Sequence, residues 1–170
     1  MAEACLDLQE RRGCDVNILL FCCWLGASGR STLTADRLRA ILKASDVWQA
    51  EIVRPLRRVR RLLKDRPWPE ALPETVDAVR RRVADAELAA EHAEQIKLAS
   101  LHTPPADRDR PLDKRLRAAV GNLGVYAVCL GVVPDTKDRA AVTALMKATF
   151  PQVSASEIEK VVGLAPSSSA

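Results

Sequence analysis

No two of the five cysteines (Cys5, Cys14, Cys22, Cys23, Cys129) stand in C-x-x-C spacing, and the two histidines, His92 and His102, lie ten residues apart with no cysteine nearby. A zinc site finds no ligand set here, and no metal or other cofactor is expected. An odd cysteine count with an adjacent pair inside an apolar run suits reduced thiols packed as small hydrophobes. The longest apolar run, VNILLFCCWLGA, is interrupted by Asn17 and is about half the length that a bilayer crossing needs. The start, MAEACLDLQERRGCD, lacks the apolar segment of a signal peptide. These absences predict a cytoplasmic protein with no membrane span. Catalytic patterns are missing too. GASGRST, residues 26–32, has neither G-x-x-x-x-G-K-[ST] nor G-x-S-x-G spacing and no preceding strand, so it reads as an interhelix turn. Linear spacing specifies no Ser/His/Asp or Cys/His set, and enzymatic activity is unsupported.

What is present is helical periodicity. The pattern predicts an all-α, single-domain helical bundle of about six or seven helices over residues 1–164, with 102–112 an internal loop and candidate hinge, and 165–170 a flexible tail. Residues 2–11 read as a short helix exposing Glu3, Asp7, Glu10 and Arg11. Asp15 caps a helix from Val16 to Leu25 that is apolar almost all round and ended by Gly26. Thr34 caps the next helix, which runs past Trp48 to Pro55 and either kinks or restarts there, because proline has no N–H to give the Glu51 carbonyl. A long helix is expected over 74–101, then one from Asp113 with Leu116, Val120, Leu123, Ala127 and Leu130 buried. Another follows over 138–149, and Ser154 with Glu157 caps a last one ending at Gly163.

Charge is unevenly placed. The net charge is +4, yet ten basic residues stand between positions 54 and 82 against four acids, a local excess of +6. Nine of those ten are arginine, which makes forked hydrogen bonds to carboxylates and phosphates. At about 100° per residue from Trp48, the side chains of Trp48, Ile52, Leu56, Val59, Leu62 and Leu63 fall on one face and the cations on the other. The apolar stripe reads as core. The cationic face, Arg54, Arg57, Arg58, Arg60, Arg61 and Lys64 joined by Arg80 and Arg81, is either a solvated or internally paired surface or a site for an anionic partner, an acidic protein or RNA.

An antiparallel hairpin turning near residue 69 would set positions near 57 against positions near 82, leaving Glu87, Glu91 and Glu94 close to Trp48 and neutralisation incomplete. A carboxylate di-metal site needs Glu-x-x-His on two helices, but position 89, three before His92, is alanine and no second copy exists, so those glutamates read as a solvated or ion-paired face. His102, before two prolines, suits a helix-capping role. A second reading is a small-molecule protein or enzyme with a pocket between the buried helix and the 113–130 helix, lined by Asn17, Cys22, Asn122 and Tyr126, the last two one turn apart and able to hydrogen-bond. A third is a structural subunit with an apolar patch on its first helix.

The blocks DVNILLFCCWL (15–25) and Trp48, Val53, Pro55-Leu56-Arg57, Arg60-Arg61, Leu63-Lys64 resemble the signature of an uncharacterised family of small bacterial helical proteins, a conserved domain of unknown function. Its members share an ACL-x-LQ-x-x-x-G-x-DVN-x-LLF-x-x-W start and a W…V-x-PLR-x-x-RR-x-LK helix, and the likeness covers most of residues 2–100. The resemblance implies no activity and no catalytic residues. Similar proteins carry an aromatic-rich helical segment ahead of the ACL motif, which implies that residues 2–25 expose surface covered in those relatives.

Overall fold

A computed structural model of the chain describes residues 1–68, 73–101 and 103–164. All regular structure among them is helical: α1 (Ala2–Arg12), α2 (Val16–Ala27), α3 (Ala35–Trp48), a π-helical turn (Gln49–Val53), α4 (Arg54–Asp65), α5 (Pro73–Ser100), α6 (Leu112–Cys129), α7 (Thr136–Thr149) and α8 (Ala155–Gly163). Because α3, the π turn and α4 run on without a break, the described residues form seven continuous helices. They gather into two compact units, residues 1–40 with 101–164, and residues 41–100.

The first unit is built on α2 packed against α6. Asp15 caps α2 as its sequence suggests, its carboxylate accepting from the Asn17 N–H at 2.7 Å. The helix does not stop at Gly26. It continues through Ala27, and Gly26 instead lies at the crossing with α6, where an added Cβ would sit 2.4 Å from the Ala119 nitrogen and 2.6 Å from the Arg115 carbonyl oxygen. Glycine is needed there for close approach, not for a turn. Gly29 does turn, at φ 82°, and its carbonyl accepts from the Asp107 N–H at 3.4 Å and from Arg110 at 3.3 Å, tying GASGRST to the internal loop that precedes α6. That loop is anchored along its length, since Arg115 also donates to the carbonyls of Arg110 and Arg108. His102 lies outside the described residues.

In α6, Leu116, Val120 and Leu123 are buried as expected, but Leu130 is exposed, and Asn122 and Tyr126 take places in the core. Those two do not bond to each other. Asn122 Oδ1 accepts from the Leu33 N–H at 2.9 Å, and the Tyr126 hydroxyl accepts from the Asp15 N–H at 2.8 Å, so each fastens a different chain segment to α6. Arg11, expected on the surface, is drawn inward with Arg12 onto Asp138. Asp138 and Asp135 form a reciprocal capping box at the start of α7.

The second unit is the hairpin of α3 from Ile41 onward, the π turn, α4 and α5. Pro55 enters the first turn of α4, and the backbone adjusts ahead of it: the Arg54 N–H reaches back five residues to the Gln49 carbonyl. This extra residue in one turn rotates everything beyond it by roughly 100° relative to an unbroken α-helix. The stripe predicted as core is displaced accordingly. Val53 becomes fully buried, Ile52, Val59 and Leu62 are exposed at 38%, 43% and 46%, and no residue of α4 itself is buried.

Gly26→Ala is expected to lower unfolding free energy by about 1–3 kcal/mol, because the α2–α6 crossing has to open. Gly124→Ala, whose Cβ meets nothing within 4 Å, is expected to be neutral or stabilising by up to about 1 kcal/mol. Urea denaturation followed by circular dichroism measures both, and equal midpoints for the two variants would contradict the close crossing.

Candidate functional site

Rotation of α4 divides its arginines into two sets. Arg57 and Arg60 point into the hairpin, where Glu87 is buried: Arg57 Nε donates to Glu87 Oε1 at 2.9 Å, Arg60 Nε to Glu87 Oε2 at 2.5 Å, and Arg57 Nη2 to Glu91 at 2.6 Å. The simple hairpin register set residue 57 against 82, but a guanidinium reaches about one helical turn further along its neighbour. Glu87 and Glu91 thus neutralise two of the cations that the linear pattern left unpaired. Further along the seam, Glu94 accepts from Ser45 and, at 2.6 Å, from Gln49, while the Trp48 indole N–H donates to the Ala90 carbonyl at 3.0 Å and Lys97 to the Ala44 carbonyl at 2.8 Å. The seam between these helices is largely polar. Burial alone would raise the Glu87 carboxyl, but hydrogen bonds from Arg60 and Arg57 outweigh it and hold the group below the ordinary glutamate range.

Arg54, Arg58 and Arg61 stand at i, i+4 and i+7, all exposed, with no acidic partner among the described residues. Lys64 is exposed nearby. Antiparallel pairing sets this column on the same side of the hairpin as Arg81 and the exposed Leu88 of α5. Arg80 bonds to Asp77 at 2.6 Å and Arg81 lies 3.6 Å from the same carboxylate. Of the eight cations singled out in the sequence, three (Arg57, Arg60, Arg80) are therefore engaged in short internal pairs and one, Arg81, loosely.

The first unit holds a separate, mostly apolar cavity of about 90 Å³ whose walls include Leu19 of α2, Leu123, Gly124 and Tyr126 of α6 and Val142 of α7. Tyr126 is the one member of the anticipated Asn17, Cys22, Asn122, Tyr126 set that lines it. Asn17 and Cys22 are buried, and Asn122 is held at Leu33, with its Nδ2 buried and lacking a hydrogen-bond partner among the described residues. Its charged lining residues are Arg12, Asp138 and Arg139. Burial would raise Asp138, but donors on Arg12, the Asp135 backbone and Arg11 hold it below the usual aspartate range. Linear reading did not single out this cluster; the D-x-x-D of PDTKD, a capping box, was the available signal.

Residues 1–98, more than half of the chain, match the family described as Protein of unknown function (DUF2390). The chain belongs to that family. The match takes in all but the last two residues of the hairpin and stops before α6, α7 and α8. No curated protein and no solved structure matches the chain. Among the described residues, no helix is long and apolar enough to cross a membrane, and no group of three His, Cys, Asp or Glu side chains is placed to hold a metal ion.

A carboxylate held below its unfolded pKa stabilises the fold above that unfolded value, about 4.3 for glutamate, and the contribution disappears as pH falls through the lower, folded pKa. Glu87→Gln is expected to lower hairpin stability at pH 7 by about 1–3 kcal/mol, through loss of charge-assisted hydrogen bonds. It should also flatten the fall in stability between about pH 5 and pH 2. Urea titrations across that range test both, and an unchanged acid slope would contradict the pairing.

Proposed function

We infer that the protein is a non-catalytic cytoplasmic binding or adaptor protein whose hairpin engages an acidic protein surface. The observation that carries this reading is the column Arg54, Arg58, Arg61, exposed and without an acidic partner among the described residues although Glu87 and Glu91 are within the same hairpin. Like charges at i, i+4 repel by a few tenths of a kcal/mol per pair, so the arrangement costs stability that an anionic partner would return. Five free cysteines, four of them buried, support a reducing compartment.

Protein is favoured over RNA by what lies among the cations. Leu62 and Leu88 are exposed on α4 and α5, Asp77 interrupts the basic surface, and the Trp68 indole N–H is turned back to the Leu63 carbonyl at 3.1 Å. A protein interface uses apolar groups ringed by arginine, whereas an RNA surface needs unbroken positive charge and stacking platforms.

Affinity capture from lysate at low and high salt, with Arg58→Glu/Arg61→Glu beside the wild type, tests this reading. A specific protein partner should be retained at low salt, resist ribonuclease, and lose affinity on the order of a hundredfold in the variant. Release by ribonuclease would assign the surface to RNA, and equal recovery in every sample would make the column a solvated face. Arg57 is unsuited to this experiment, since its reversal breaks the seam.

A further inference from the structure

We propose that the cavity in the first unit binds a small apolar monocarboxylate, with its hydrocarbon body against Gly124 and its carboxylate on Arg139. Three glycines in the α2–α6 region distinguish built space from close packing. A Cβ on Gly26 would collide with Ala119, and one on Gly121 would lie 2.8 Å from the Thr32 hydroxyl oxygen, so both are dictated by contact. Gly124, in the middle of α6, has no such neighbour: its added Cβ meets nothing within 4 Å, its φ is not positive, and it lines the cavity. Glycine inside a helix is unfavourable relative to alanine, with no packing or turn to account for it here. What glycine does at 124 is leave room.

The walls decide what fits the room. They are apolar side chains from α1, α2, α6, α7 and α8, and the cavity is about 90 Å³. An apolar cavity of about 150 Å³ accepts a benzene ring, so this one takes a body of roughly four or five carbons. The Cys14 thiol in the wall is pushed up to about 11 by burial, and the Tyr126 hydroxyl is raised as well, chiefly by burial. Both groups are thereby favoured in their neutral forms, in keeping with an apolar wall.

The charged lining residues decide the polar group. Both Asp138 oxygens are occupied, Oδ1 by Arg11 and Arg12 and Oδ2 by the Asp135 N–H. Arg12 is committed to Asp135 and Asp138. Among the described residues Arg139 makes one hydrogen bond, from Nη1 to the Gly163 carbonyl at 3.3 Å, and its Nε and Nη2 have no partner there and can serve a ligand. The guanidinium of a half-buried arginine that lines an apolar cavity favours a carboxylate, which takes two parallel N–H donors.

The test is an NMR titration of the ¹⁵N-labelled full chain with 3-methylbutanoate and, separately, with 3-methylbutanol. The carboxylate should move the Gly124 and Val142 amide signals saturably, and the alcohol should bind about tenfold to a hundredfold more weakly. Arg139→Gln should bring the carboxylate down to the alcohol's affinity. Gly124→Leu should abolish binding of both while keeping or raising the melting temperature. No saturable shift in the wild type at millimolar carboxylate overturns the site. Equal affinity for alcohol and acid overturns the role of Arg139, and shifts that map elsewhere, or persist unchanged in a folded Gly124→Leu protein, overturn the location.

Discussion

Glu87 accepts hydrogen bonds from Arg57 and Arg60 at once, and the orientation of α4 follows from that double pairing. A carboxylate buried in a helix hairpin is tolerated only when its charge is matched and its lone pairs are filled, and two arginines do both. Their inward turn carries the rest of the helix with it. Arg54, Arg58 and Arg61 are left on the outside, and the apolar residues Ile52, Val59 and Leu62 lose the core position that their spacing gives them on an unbroken helix. A seam made of directional pairs, Ser45 and Gln49 on Glu94 as well as the arginines on Glu87, fits together in one register, whereas sliding apolar faces would accept several.

Most of the helical architecture is legible in the sequence, because its signals are local. Asp15, Thr34 and Ser154 announce helix starts through short side-chain hydrogen bonds, and each is found bonded to a backbone N–H two or three residues on. The hairpin seam is not legible in the same way. Pro55 signals a disturbance in its helix, but whether the chain answers with a kink, a restart or a π turn depends on what the rotated side chains meet, and Glu87 is more than thirty residues from Pro55. A phase error of about 100° is enough to exchange an apolar face for a cationic one. The functional reading shifts with it, from a uniformly cationic helix face to a narrower column beside exposed leucines.

In the first unit the limitation is of a different kind. Gly26 reads in the sequence as a helix terminator and Gly124 as a glycine within helical pattern, yet the first is required inside α2 by the approach of Ala119 and the second lines a cavity. Asn122 and Tyr126 were recognisable as polar groups on a buried face, but their partners, Leu33 and Asp15, lie about ninety and one hundred and ten residues away in sequence. The family match covers α1–α4 and most of α5, so the hairpin lies almost wholly inside the matched region, while the cavity is completed by helices beyond it.

The pairing of Glu87 with Arg60 is the element on which this account of α4 rests, and a double-mutant cycle measures it directly. Arg60→Met, Glu87→Gln and the double variant would be compared with wild type by hydrogen exchange of the α5 amides, which reports the free energy of opening the hairpin. The account predicts a coupling energy of about 1–3 kcal/mol between the two positions. Additivity to within about 0.5 kcal/mol would mean that Glu87 does not hold Arg60, and that the orientation of α4 has another cause.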